Sequence, residues 1–171
     1  MGLTLVNTTG AISGGTADVE ITGLSSAYKA YEFHFYDLHL SATNANFEFQ
    51  VNTSYNQDIN STAMRFYSRD HDTHDFAVGY QSGADTHVGA TSGTWCPLND
   101  NPNSTNSENS LSGVMVLFDP SSTTYSKHFI SKTTTQTSTT YHQYNQVAGY
   151  VKTTSAIDKI KFRFASGNID S

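Results

Sequence analysis

Apolar and polar residues alternate along much of this sequence, and polar turns separate the alternating stretches. In residues 46–52, Phe47, Phe49 and Val51 fall on one face of an extended chain, while asparagine, glutamate and glutamine fall on the other. Residues 157–165 repeat the arrangement, with isoleucine and phenylalanine alternating with lysine and arginine. A period of two is typical of antiparallel strands that are buried on one face. Both segments therefore predict half-buried strands.

Other segments with strand-like composition predict additional strands. They are residues 17–21, 31–40, 63–68, 76–80, 111–118, 125–132 and 140–153. Residues 31–40 carry bulky side chains at both parities, so we expect a central strand that is covered on both sides. Residues 119–122, Asp-Pro-Ser-Ser, predict a tight hairpin turn. Proline fixes φ at the first corner of a turn, and the aspartate side chain can bond the nearby backbone.

This succession of short strands, with no convincing amphipathic helix, predicts an all-β fold. The expected architecture is an antiparallel β-sandwich, and a jelly roll is the preferred topology. A length of 171 residues predicts one domain, 1–171, because such a chain can bury a two-layer core without metal or disulfide. We expect this domain to carry an N-terminal arm, residues 1–15, and a long polar loop, residues 81–110.

Both of these outlying segments contain apolar residues that could contact another protein. The arm has apolar residues with weak alternation, as a segment lying on a neighbouring subunit would. The loop is either a solvated excursion or an arm that orders against a neighbour. The candidate interface residues are Leu3, Leu5 and Ile12 in the arm and Trp95, Pro97 and Leu98 in the loop. We expect Trp95→Ala to weaken binding to a partner and to leave the isolated fold intact.

Charge and composition narrow the range of partners. Charged residues make up 14% of the chain, the net charge is −6, and the nine lysine and arginine residues are scattered. Phosphate-backbone binding needs clustered basic side chains, so we expect no nucleic-acid partner. No segment approaches the roughly 20 apolar residues that span a bilayer, and no secretory signal is visible. We therefore expect no membrane partner and synthesis in a cytoplasm. A surface of Ser, Thr, Asn and Gln suits contact with protein or glycan.

One cluster of potential metal ligands occurs in the sequence, at residues 69–75, Arg-Asp-His-Asp-Thr-His-Asp. On a strand, alternate residues share a face, so these ligands would be divided between two faces, and their spacing matches no calcium loop. A charged turn is favoured over a structural metal. We predict no metal site and no cofactor.

The sequence also lacks the local motifs of common enzymes. No Gly-x-Ser-x-Gly or dinucleotide-binding motif is present. The single cysteine, Cys96, cannot form an internal disulfide and has no local feature that would activate it. We expect no enzymatic activity and no catalytic residues. A Ser–His–Asp triad, which is defined by geometry and not by order, stays open as a minor alternative.

Several segments, taken in order, resemble small structural proteins of tailed bacteriophages, as found in marine and cyanobacterial phages. These segments are residues 28–39, 44–50, 110–129, 147–150 and 156–157 with 164–169. The resemblance implies a structural protein at the surface of the virion, with no catalytic residues to carry over. It also implies one further short strand after residues 166–169.

Three hypotheses about function follow from the residues and the resemblance together. The leading hypothesis is a capsid decoration (cement) protein, expected as a homotrimer on the major capsid protein, that stabilises the head. A tail, neck or fibre-associated module that docks on other virion proteins is the second. A carbohydrate-binding domain for the host surface is the third. Its candidate residues are Tyr141 and Tyr144, because exposed tyrosine rings can stack on sugars.

Overall fold

The computed structural model describes residues 3–42, 44–52, 54–69, 76–82, 85–86, 93–99, 109–138 and 141–170. These residues form eleven β-strands. They are β1 (Asp18–Thr22), β2 (Ala30–Leu40), β3 (Phe47–Val51), β4 (Ile59–Arg69), β5 (Phe76–Tyr80), β6 (Cys96–Pro97), β7 (Leu111–Phe118), β8 (Lys127–Ser138), β9 (Tyr141–Val151), β10 (Lys159–Phe164) and β11 (Ile169–Asp170).

The strands form two sheets that pack as a sandwich. The smaller sheet has the order β1-β10-β3-β6, and the larger sheet has the order β11-β2-β7-β8-β9-β4-β5. All pairings between the described strands are antiparallel. The predicted all-β fold and antiparallel β-sandwich are thus confirmed. The jelly roll is not confirmed, because a jelly roll has eight strands in two sheets, whereas the described strands here form sheets of four and seven.

Phenylalanine rings from both sheets fill the space between them. Phe35 of β2 contacts Phe47 of β3 and Phe162 of β10, with ring centroids 5.0 Å apart in each pair. Phe49 of β3 meets Phe129 of β8 at 4.9 Å. All three contacts are edge-to-face, an arrangement that aromatic quadrupoles favour. The alternating phenylalanines recognised in the sequence therefore do form the core.

The inner face of β8 and β9 is buried but largely polar. Thr133, Gln143 and Asn145 are each at most 2% exposed. The hydroxyl of Thr133 donates a hydrogen bond of 2.9 Å to the carbonyl oxygen of Leu98. Buried polar groups need such partners. The segment containing β6 therefore covers this part of the larger sheet.

The expectation that β2 is covered on both sides is wrong. Tyr31 and Phe35 are 7% exposed, whereas His34 is exposed and Tyr36 is 73% exposed. The pairing register between β2 and β7 shifts between Phe35 and Leu38, and Asp37 within this bulge has a φ of 49°. Bulky residues at both parities reflect an exposed aromatic face here, not a second buried one.

β3 differs from its prediction in the opposite sense, because both of its faces are buried. Glu48 is 7% exposed and Gln50 is fully buried. The amide nitrogen of Gln50 donates to the backbone oxygens of Gln57, at 2.8 Å, and Thr94, at 3.2 Å. Loop backbone therefore covers the polar face of β3, and the side chain of Gln50 is hydrogen-bonded to it.

Strand ends differ most from the prediction in β4, which begins at Ile59 and not at residue 63, and in β8. The Asp-Pro-Ser-Ser turn forms, with the amide of Ser122 donating to Asp119 at 3.0 Å, but β8 begins at Lys127 and continues to Ser138. The two-residue strands β6 and β11 were not predicted. β11 pairs Ile169 with Leu40 of β2, and Ile169 also forms an isolated bridge with Thr16.

Candidate interaction surfaces

One cluster of exposed apolar residues lies on the outer face of the larger sheet, on β4 and β5. In the pairing of β4 with β5, Met64 lies opposite Tyr80 and Phe66 lies opposite Val78. The next outward residue of β5 is Phe76. Phe76 is 69%, Tyr80 61%, Val78 50% and Met64 46% exposed. We call these five residues the β4–β5 patch. Monomeric proteins rarely expose apolar side chains in such a group without a partner.

The orientation of β5 explains why this patch is exposed. Its large residues all point outward, and the two intervening positions are Ala77 and Gly79, which are half-buried. A strand that serves only the core would place its large apolar residues inward and its small or polar residues outward. Tyr80 is held in place by its hydroxyl, which donates a hydrogen bond to the carboxylate of Asp85. The outward alternation of β5 thus gives the β4–β5 patch a fixed shape.

A second feature of the same face is a shallow depression with a volume of about 160 Å³. We call it the polar depression, and it is lined by Ser110, Ser112, Thr134, Thr135, Gln136 and His142. It spans β7, β8 and β9, since Ser112 pairs with Thr134 and Gln136 pairs with His142.

Hydrogen bonds order the groups of the polar depression. His142 Nε2 lies 2.6 Å from the hydroxyl of Thr134. On the β2 side, Asp37 accepts from the hydroxyl of Ser112 at 3.3 Å and of Ser110 at 3.5 Å. The amide of Asp37 in turn donates to the hydroxyl of Ser112 at 3.0 Å. The arrangement provides both hydrogen-bond donors and acceptors at a solvent-accessible face.

The outer face of the smaller sheet carries a compact group of charged and aromatic side chains. The guanidinium carbon of Arg163 lies 3.8 Å from the ring centroid of Trp95, and its Nε donates to Glu48 Oε1 at 2.7 Å. The Trp95 ring stacks on Tyr55 at 6.0 Å, and Lys161 Nζ lies 4.6 Å from the centre of the Tyr55 ring. Burial raises the pKa of Glu48 above its ordinary value, and the Arg163 guanidinium opposes this. The charged and aromatic side chains of this group are therefore bound to one another within the chain.

Three of the predicted interface residues therefore have roles inside this chain. Trp95 packs on Arg163 and Tyr55, while Pro97 and Leu98 are buried. Pro97 lies in β6 and is buried, and Leu98 is 0% exposed, so in this structure neither side chain is available to a neighbour. These apolar residues of the loop are thus anchored to their own sandwich.

The remaining predicted residues lie in different surroundings. Leu3 and Leu5 are 80% and 81% exposed, whereas Ile12 packs against the core. Tyr144 lies on the outer face, where its ring contacts Phe66 at 5.8 Å. Tyr141 lies on the other face, beneath the guanidinium of Arg69 at 4.5 Å. Only Tyr144 is therefore close to the polar depression and the β4–β5 patch.

The candidate chemical groups of the sequence are the acidic and histidine cluster and Cys96. Residues 70–75 of the acidic and histidine cluster lie outside the described residues. Among the residues that the structure does describe, no group of three metal-binding side chains occurs. Burial raises the pKa of the Cys96 thiol to about 12, so it is not a thiolate at neutral pH. No helix in the described ranges could cross a membrane.

Comparisons with protein-family models, with curated proteins and with solved structures gave no match to this chain.

Proposed function

We propose that this protein is a non-enzymatic structural protein of a bacteriophage particle that binds other virion proteins through the β4–β5 patch. The observation that carries the proposal is the reversed alternation of β5, which turns Phe76, Val78 and Tyr80 toward solvent. Aromatic and methionine side chains are enriched at protein interfaces, and buried aromatic residues supply much of their binding energy.

The chemistry of the face favours a protein partner. The segment Phe76–Tyr80 carries no charged residue, so its burial would leave no charge without a partner. The chain as a whole is acidic and only 14% charged, which disfavours a phosphate-rich partner. A neutral apolar patch next to hydroxyl and amide side chains fits a protein interface with an apolar centre and a polar rim.

The placement on a phage particle rests on the resemblance of the ordered segments to small phage structural proteins. Within that setting, capsid decoration is the preferred role, with the major capsid protein as partner and a homotrimer as the expected assembly. A protein that binds only the assembled shell stabilises it by mass action. A tail, neck or fibre-associated position is the alternative.

Stoichiometry in purified particles tests the proposal. Quantitative mass spectrometry would give the copy number of this protein relative to the major capsid protein. A ratio of about one or about one third supports decoration of a symmetric lattice. A ratio of a few per cent overturns decoration and supports the tail or neck. Absence from the particles overturns the structural role altogether.

A further inference from the structure

The polar depression lies on the same face as the β4–β5 patch but is chemically distinct from it. The patch presents aromatic and aliphatic side chains, whereas the depression presents hydroxyls, an amide, an imidazole and the nearby carboxylate of Asp37. Neither the core nor the sandwich pairing requires these groups on an exposed surface. These polar groups nevertheless lie together on three neighbouring strands, β7, β8 and β9.

The hydrogen-bonding groups of the depression can both donate and accept. Serine and threonine hydroxyls do either, the glutamine amide does both, and a carboxylate accepts through two oxygens. Asp37 uses Oδ1 for Ser110 and Ser112, and among the described residues no bond to its Oδ2 is found. A ligand that offers adjacent hydroxyl groups matches this mixture of donors and acceptors.

Tyrosine residues occur on strands at both sides of the depression, beside the residues that line it. Tyr36, next to Asp37 on β2, is 73% exposed. Tyr144 pairs in register with Thr134, and its hydroxyl accepts from the amide of Gln146 at 3.2 Å, which orients the ring. β2 and β9 are three strand spacings apart, about 14 Å. The strands on which Tyr36 and Tyr144 lie therefore enclose the polar groups, and both rings are at least partly exposed, so they can pack on the apolar faces of sugars.

We infer that the polar depression binds a neutral oligosaccharide, with the hydroxyls of Ser112 and Thr134 and the imidazole of His142 bonding its hydroxyl groups. The ring of Tyr144 packs against the face of one sugar unit. An acidic saccharide is disfavoured, since the carboxylate of Asp37 is hydrogen-bonded to Ser110 and Ser112 of the site and none of the described residues that line it is a lysine or arginine. The inference holds wherever the protein sits on a particle, so it does not depend on the proposed function.

Matched threonine variants provide the test. Thr134→Val removes a hydroxyl of the depression, and Thr62→Val makes the same change at an exposed position on the outer face of β4, away from it. The purified protein and both variants are applied to an array of neutral and acidic oligosaccharides. The affinity for the glycans that bind is then measured by titration calorimetry. Thermal unfolding confirms that each variant is folded, and Ser112→Ala serves in place of Thr134→Val should the latter unfold.

The expected result is binding to a neutral oligosaccharide that Thr134→Val weakens about tenfold and Thr62→Val leaves unchanged. Three results would overturn the inference. They are no binding to any glycan on the array, binding to acidic glycans only, and equal affinities of the Thr134→Val and Thr62→Val variants.

Discussion

The guanidinium of Arg163 lies 3.8 Å above the ring of Trp95, so a residue of the central strand β10 fixes the position of an aromatic side chain in the long loop. The same guanidinium bonds Glu48 on β3. An arginine over tryptophan contributes about 0.5–2 kcal/mol, depending on how well it is shielded from water. The contact therefore connects the loop to the smaller sheet.

Trp95→Ala is expected to lower the free energy of unfolding by about 2 kcal/mol, because it removes both the cation–π contact and the packing on Tyr55. Urea denaturation measures the change. Tyr125→Ala is the control, since Tyr125 is 72% exposed and should change stability by no more than about 0.5 kcal/mol. Equal stability of Trp95→Ala and the wild type would instead support the original expectation that Trp95 serves a partner.

Glu48 should make the stability depend on pH in the mildly acidic range. Burial raises the pKa of its carboxyl above the ordinary 4.5, so the folded protein binds this proton more tightly than the unfolded chain does. Protonated Glu48 therefore adds its full contribution to the free energy of unfolding below pH 4.5. This contribution is lost as pH rises through the pKa that Glu48 has in the folded protein. Urea unfolding of the wild type and Glu48→Gln across this range should show the loss in the wild type only. Parallel pH profiles would contradict the prediction.

Lys127→Met is expected to stabilise the protein by about 1 kcal/mol at neutral pH. Lys127 is 1% exposed, and its ammonium donates to the backbone oxygen of Thr153 at 2.9 Å. Burial lowers the pKa of this lysine, so the unfolded chain binds the proton more tightly. The advantage of the methionine variant should therefore shrink as pH rises toward 10.5. Lys132→Met, at an exposed position of the same strand, is the control and should have little effect. A less stable Lys127→Met protein would contradict the prediction.

Two glycine substitutions test the pairing of β4 with β9. A Cβ at Gly149 would overlap the carbonyl oxygen of Asn60 and lie 2.8 Å from the Cα of Ser61, whereas a Cβ at Gly79 would have no atom within 4 Å. Gly149→Ala should therefore cost about 2–3 kcal/mol of unfolding free energy. Gly79→Ala should be neutral or slightly stabilising. Thermal unfolding would show the difference, and similar midpoints for the two variants would argue against this register.

The β4–β5 patch predicts a binding defect without a folding defect. Val78→Asp places a charge at the centre of the patch and should weaken binding to particles at least about tenfold, because the charge would be buried in the interface. Co-sedimentation of the purified protein with particles that lack it gives the affinity. Tyr125→Asp, a charge introduced at an exposed site outside the patch, should bind as the wild type does. Unchanged binding of Val78→Asp would remove the patch from the interface.

Strands could be predicted from the sequence where strand-forming residues are bounded by residues typical of turns. β5 and β7 begin and end where their composition indicated, because turn residues bound them on both sides. β6 has two residues, one of them a proline, so no periodic signal could reveal it. It forms because Leu98 reaches the core and its amide bonds the carbonyl of Phe47 at 2.7 Å.

The candidate sites were less accessible to prediction, since they depend on which strands become neighbours. Ser112, Thr134 and His142 look like ordinary polar strand residues in the sequence. They meet only because β7, β8 and β9 pair in a particular register. Similarly, the alternation of Glu48 with phenylalanines correctly indicated its face, but nothing local indicated that Arg163 and the loop would bury it.

The position of β10 between β1 and β3 has a consequence for how the chain folds as it leaves the ribosome. β1 and β3 do not pair with each other, and the strand that joins them starts at Lys159. The smaller sheet must therefore wait until β10 has been synthesised, and until then Phe35 lacks its contact with Phe162. Long-range pairing of this kind is slow and leaves apolar surface open to aggregation. Nascent chains that stall before β10 are thus expected to be the ones that chaperones hold.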